Sequence, residues 1–191
     1  MNKNKIVFTF ATAEVNFIGQ IFIKITELLT GKLKLKKLYD EYLSENRPPE
    51  LFWDDAVDKL NFNLITNFQD GSYIPKKGKL IVIANHAFGV ADGVSICSAI
   101  SKVRQDYKMV THKVLRQAEA VKDKILPIDF NENREALITN INTRKDAEKV
   151  LNNEGVLVLF PSGTIATKQN LKKNTKADDG EWKQWVSKLV L

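Results

Sequence analysis

Apolar positions are arranged in two ways along this 191-residue chain. Over Val15–Leu29 they recur at spacings of three and four (Phe17, Ile18, Ile21, Phe22, Ile25, Leu28, Leu29), which predicts an amphipathic helix stopped by Gly31. Further on they form short runs of strand length: Leu80–Ile83, Tyr107–Val110, Ile125–Asp129 and Val156–Phe160. Val156–Phe160 (VLVLF) has no polar break, as expected of a strand buried on both faces. Helical patterns separate these runs. Val94, Cys97, Ile100 and Val103 mark a helix over Val94–Val103, a second is expected over Lys113–Lys122, and a third over Asn133–Asn153. Polar Asn140–Thr143 predicts an interruption in the third, which Glu154-Gly155 ends.

The flanking regions carry weaker patterns. Leu38–Pro49 reads as a polar connection with at most one helical turn, broken by Arg47-Pro48-Pro49. Trp53, Ala56, Val57 and Leu60 share one face of a short helix, and Phe62–Phe68 reads as a strand before a turn at Gln69–Ser72. Lys168–Gly180 is polar, lysine-rich and expected to be mobile. Glu181–Leu191 resumes an amphipathic helix with Trp182, Trp185, Val186 and Leu189 on one side.

From Leu80 onward strands alternate with helices. That order predicts an α/β fold with a largely parallel central sheet flanked by helices, preceded by an N-terminal helical segment. The organisation expected is a basic, amphipathic segment at 1–47 and an α/β domain at 48–191. In parallel sheets, sites form beyond the carboxyl ends of strands. Two strand ends here run into unusual loops, Asn85-His86 after the first and Pro161-Ser162-Gly163 after the last, so both belong to one sheet edge.

Charge changes the picture modestly. The net charge of +6 suits an anionic partner, whether nucleic acid, a phospholipid surface or a phosphorylated substrate; abundant lysine from genomic base bias explains it equally well. No RNP, helix-turn-helix or zinc-finger signature is present, so nucleic acid is not an expected partner. The Val15–Leu29 stripe followed by Lys32, Lys34, Lys36 and Lys37 has the composition of an interfacial membrane helix, and equally of a core-packing helix with a solvated basic end. No apolar run reaches the roughly 18 residues of a membrane-spanning helix, and Met1–Ala13 lacks a signal-peptide cleavage site. The single cysteine, Cys97, sits in an apolar helical pattern and is expected to be buried; no Cys/His spacing calls for a metal.

The chemistry-bearing stretch is Lys79–Ser95 (KLIVIANHAFGVADGVS). It delivers His86 to a strand end and brings back Asp92 after a loop containing Gly89. A neutral histidine takes a proton from a hydroxyl near pH 7, and an adjacent carboxylate fixes its tautomer and stabilises the imidazolium. Six positions apart on a regular helix the two side chains would diverge, so the pairing requires an irregular loop, which Gly89 permits. No G-x-S-x-G elbow supplies a serine nucleophile. From these letters alone, a histidine that caps a strand for structural reasons is the favoured reading. His112, whose surroundings carry no motif, is read as structural.

Asn85-His86-Ala87-Phe88-Gly89-Val90-Ala91-Asp92-Gly93 resembles the first signature of the glycerophospholipid acyltransferase superfamily, the lysophospholipid acyltransferases. The usual pattern there is N-H-x-x-x-x-D; the extra residue before Asp92 matches the subgroup of putative hemolysins and ornithine-lipid acyltransferases, N-H-P-x-G-x-x-D-G, with Ala87 in place of the proline. Phe160-Pro161-Ser162-Gly163 resembles the F-P-x-G block, with serine where glutamate is commonest, and ILPIDF with Arg134 resembles loosely the block that contributes a basic residue for an acceptor phosphate. The resemblance covers roughly Pro48–Leu191. Relatives continue past that point, so it implies a C-terminally truncated or shortened chain.

The resemblance implies an acyltransferase that moves a fatty acyl chain from acyl-CoA or acyl-carrier protein, as co-substrate, to a lysolipid hydroxyl. His86 would act as general base oriented by Asp92. Asn85, Gly89, Arg134, Phe160, Pro161, Ser162 and Gly163 would bind substrate, with the Gly163 amide a candidate oxyanion donor. It implies no other cofactor and no metal, and a peripheral place on the cytoplasmic face of a membrane. A catalytically inactive lipid-binding protein on the same fold is the alternative, and a hydrolase with water as acceptor is a third reading.

Overall fold

The computed structural model describes residues 32–65, 73–167 and 176–189. The Val15–Leu29 helix lies outside the described residues. Four strands, β1 (Leu80–Ile83), β2 (Tyr107–His112), β3 (Ile125–Ile128) and β4 (Val156–Leu159), form one sheet in the order β1-β4-β2-β3. All three pairings are parallel, for example Leu80 with Val156 and Met109 with Ile125. The α/β fold expected from the alternation of patterns is therefore the one observed.

β4 lies inside the sheet and is buried on both faces, which its unbroken apolar run requires. Its side chains alternate between two cores. Val156 and Val158 pack with Trp53, Val94, Cys97, Ile100, Tyr107 and Met109 on one face; Leu157 and Leu159 pack with Val110, Leu126, Ala147, Leu151 and Val186 on the other. Helices α1 (Lys32–Ser44), α2 (Phe52–Lys59) and α3 (Val90–Ser101) supply the first layer, and α4 (Arg134–Asn152) with the C-terminal segment supplies the second.

Several elements depart from the sequence pattern. The stretch expected as a polar connection at Leu38–Pro49 begins inside α1. Tyr39 and Tyr42 pack against Phe52, and i,i+4 pairs of Lys36 with Asp40 and Lys37 with Glu41 support the exposed side. The described end of the 1–47 segment thus shares its core with the α/β domain. Phe62–Ile65 forms no strand, and the rest of that predicted strand falls outside the described residues. The helix after β1 starts at Val90 rather than Val94, and in place of a helix over Lys113–Lys122 there is a 3-10 turn at Lys113–Gln117, with a second at Lys122–Lys124.

α4 runs without a break through Asn140–Thr143. The polar letters that predicted an interruption bond the neighbouring strand instead. Asn140 donates to the Asp129 carbonyl at 2.8 Å and accepts from the Asp129 amide at 2.9 Å, and Thr143 donates to the Pro127 carbonyl at 2.5 Å. Of the helix expected over Glu181–Leu191, the described residues 181–189 form turns and one 3-10 turn at Ser187–Leu189 instead. The Lys183 amide is drawn to the Pro161 carbonyl at 3.0 Å, and Val186 is buried beneath α4 with Trp185 beside it.

At the amino edge of the sheet Arg104 is almost fully enclosed. Its guanidinium donates to both Asp106 carboxylate oxygens and to the carbonyls of Pro75, Gly78 and Glu154. One side chain thereby ties the segment entering β1 to the turn entering β4.

Candidate active site

The sheet order makes β1 and β4 neighbours, so their following loops leave the same edge side by side. His86 follows β1 by three residues, and its ring stacks on Phe160 from the β4 end, with centroids 4.2 Å apart and an interplanar angle of 25°. The two motifs, about seventy residues apart in sequence, are in direct contact.

Gly89 creates the return path. It caps α3 with φ 63° and ψ −119°, a conformation that side chains with a Cβ avoid. The following Val90-Ala91-Asp92 turn closes with an Asp92 amide bond to the Gly89 carbonyl at 3.1 Å. Asp92 thus occupies the first turn of α3, where the helix dipole favours a carboxylate. Its Oδ2 accepts from the Phe88 amide at 2.8 Å and lies 3.0 Å from His86 Nδ1. A carboxylate only accepts, so in the neutral ring His86 Nδ1 is the protonated nitrogen and Nε2 the one with the lone pair. The His86 and Asp92 side chains are 20% and 15% exposed, enclosed yet reachable.

The main chain of His86 is fixed as well. Its carbonyl accepts from the Ala166 amide at 2.6 Å, and its amide donates to Asp179 Oδ1 at 3.2 Å. Asp179 also meets Ser162 Oγ at 2.9 Å and Trp182 Nε1 at 3.0 Å. Burial would raise its pKa; the His86 amide, the Trp182 indole, the Ser162 hydroxyl and the nearby imidazole outweigh that and hold it below the usual carboxylate range. Asp179 escaped sequence reasoning. It ends a polar, lysine-rich stretch that reads as solvated, and no local pattern links it to a histidine 93 positions earlier. Residues 168–175 of that stretch lie outside the described residues; the part from Lys176 onward bridges back through paired Thr167 and Asp178 backbone bonds of 3.1 Å.

The other predicted site residues are distributed unevenly. Phe160 forms the stacking platform, and Pro161 is buried with its carbonyl holding Lys183. Ser162 is buried, its Oγ between Asp179 and the Thr164 carbonyl at 3.0 Å, so its side chain points into the loop. Gly163 takes φ 70°, and its amide donates to the Phe160 carbonyl at 3.0 Å. That bond commits the amide expected as an oxyanion donor. Asn85 is exposed at the end of β1. Arg134 is exposed on the first turn of α4, beyond β3. β2 stands between β3 and β4, so strand spacing alone places the β3 end about 10 Å from that of β4. Phe130 crosses part of this gap, with its Cε1 3.9 Å from where a Cβ on Gly163 would lie.

Two further residues have structural roles. His112 ends β2, accepts from the Val114 amide at 3.1 Å and stacks on Phe130; burial lowers its pKa and favours the neutral ring. Cys97 is fully buried against Met109, and burial pushes its thiol up to about 12. Among the described residues no cluster of His, Cys, Asp and Glu is arranged to hold a metal, and no helix is long and apolar enough to cross a membrane.

Searches of curated proteins and of solved structures gave no significant match. The family model described as "Acyltransferase" matches residues 65–180, well over half of the chain, from before β1 through both loops to the residue after Asp179. The chain belongs to the acyltransferase family, whose chemistry is acyl transfer.

Proposed function

We propose that the protein transfers a fatty acyl chain from acyl-CoA or acyl-carrier protein to the hydroxyl of a lysolipid, with His86 as general base and Asp92 as its orienting partner. The observation that carries this reading is the 3.0 Å contact of His86 Nδ1 with Asp92 beside the Phe160–Gly163 loop. Nε2 takes the proton as the acceptor oxygen attacks the thioester carbonyl. The tetrahedral intermediate collapses with cleavage of the C–S bond, the imidazolium returns its proton to the departing thiolate, and an ester remains. No acyl-enzyme forms. The longer His86–Asp92 spacing supports a place in the putative hemolysin and ornithine-lipid subgroup.

A lipid acceptor is supported by the rim of the site. Phe88, Val90, Phe130, Ile165 and Trp182 are all exposed on the segments that follow β1, β3 and β4. Together with the net charge of +6 they suit peripheral attachment to the anionic cytoplasmic face of a membrane, where phospholipid synthesis would draw its substrate. Arg134, exposed near this edge, is the candidate phosphate ligand.

The burial of Ser162 favours a second reading, an inactive lipid-binding protein, because position 162 presents no side chain to an acceptor. One experiment separates the two. Purified protein receives labelled acyl-CoA and a panel of lysolipids in anionic liposomes. Acylated lipid that disappears in His86→Ala supports transfer. Liposome binding without turnover overturns it, and release of free fatty acid alone identifies water as the acceptor.

A further inference from the structure

A base must be aimed as well as ionised correctly. Asp92 and Phe160 orient the imidazole, but the path of the His86 main chain decides where that imidazole stands. The donor on that main chain points to Asp179 Oδ1, and the same oxygen is 2.9 Å from the Oγ of buried Ser162. Oδ2 receives the Trp182 indole N–H. One carboxylate thus joins the loop after β1, the loop after β4 and the C-terminal segment.

The surrounding backbone is built for this approach. Gly180 lies so close to the β4 loop that a Cβ there would be 2.9 Å from Thr164 Oγ1 and 3.5 Å from Ser162 Cβ. The Thr167–Asp178 bridge sets the register of the segment just before the carboxylate. Lys183, through its amide bond to the Pro161 carbonyl, sets it just after. The Ser162 hydroxyl, buried in the β4 loop, reaches this carboxylate from 17 positions earlier in the chain.

We propose that Asp179 is a positioning residue of the acyl-transfer centre, holding the His86 main chain and the Phe160–Gly163 loop in one frame through its bonds to the His86 amide and to Ser162. Its effect on turnover rests on the reading of His86 as general base; its anchoring of the His86 loop does not.

The test has a kinetic and a structural arm, both on the full chain. Misplacing a base by about 1 Å costs on the order of 100-fold in rate, so Asp179→Ala is expected to lower kcat by about that factor with KM for acyl-CoA little changed. Asp179→Asn keeps one acceptor oxygen for His86 and Ser162 but turns an amide N–H toward the Trp182 indole. Adding Trp182→Phe removes that donor–donor conflict, so the double variant is expected to recover most of the kcat of Trp182→Phe alone. A loss confined to KM, or no loss, overturns the kinetic role. Amide hydrogen exchange over residues 84–92 is the structural arm: exchange faster in Asp179→Ala supports the anchor, and unchanged exchange overturns it. Should Asp179→Ala not fold, Asp179→Asn carries both measurements. If the unmodified protein shows no acyl transfer, the functional reading fails while the exchange arm still decides the anchor.

Discussion

His86 Nδ1 and Asp92 Oδ2 lie 3.0 Å apart although a regular helix would turn them away from each other, because Gly89 reverses the chain between them. The pair leaves Nε2 as the lone-pair nitrogen. Removing the base in His86→Ala is expected to lower kcat by about 100- to 10,000-fold, the usual contribution of general base catalysis. Asp92→Asn, whose amide can present a donor to Nδ1, is expected to lose activity in the same direction. Steady-state transfer assays with folding confirmed by circular dichroism check both; full activity in either variant would remove the pair from the mechanism.

Gly89→Ala tests the loop itself. Its φ and ψ cost an L side chain about 1–3 kcal/mol, and the new Cβ would lie 3.0 Å from Ile165 Cδ1. The Ile165 side-chain tip can shift; the backbone strain remains. Thermal unfolding is expected to move down by about 2–4 °C per kcal/mol lost. Activity is expected to fall further than stability, because the same turn carries Asp92 to His86.

The folded-state pKa of Asp179 is depressed, so its anchoring contributes fully above the unfolded value of about 3.9 and disappears as pH falls through the lower folded value. Stability therefore rises with pH across that window. Asp106 acts in the same direction through Arg104. So does Asp129, where burial alone would raise the pKa and the Lys113 ammonium and Asn131 amide outweigh it. Urea midpoints measured from pH 3 to pH 6 for the unmodified protein and Asp179→Asn should converge toward the acid end. A gap independent of pH would show that the charge of Asp179 contributes nothing.

Arg104→Ala should be strongly destabilising although Arg104 belongs to neither apolar core. It withdraws donors from three carbonyls and from Asp106, an expected loss of about 3 kcal/mol. Arg104→Lys keeps the charge but not the fork and should recover only part of it. Denaturant titration reads both, and a loss below about 0.5 kcal/mol, the range of ordinary surface substitutions, would contradict the hub role.

Cys97 should resist thiol reagents in the folded protein. Its thiol is enclosed and its pKa is raised to about 12 by burial, so almost no thiolate exists at pH 8. Labelling is expected to accelerate sharply in denaturant. Rapid labelling under native conditions would mean that the helix carrying Cys97 opens readily.

By itself the sequence determined the parallel α/β class, the four strands and the presence of His86, Asp92 and the Phe160–Gly163 block on one sheet edge. Those features have local causes: unbroken apolar runs make buried strands, parallel strands put their ends together, and Gly89 frees the backbone at one position. Tertiary structure alone decided that β1 lies beside β4, which turns a shared edge into contact between His86 and Phe160. It also decided that α4 passes unbroken through Asn140–Thr143 and that the described residues 181–189 form no α-helix. In both cases hydrogen bonds to distant residues, from Asn140 and Thr143 to the end of β3 and from the Lys183 amide to Pro161, satisfy polar groups that sequence periodicity assigns to solvent or to a local break. Asp179 is the clearest instance: a carboxylate in a polar stretch becomes part of the histidine's support only once the fold brings the two loops and the C-terminal segment together.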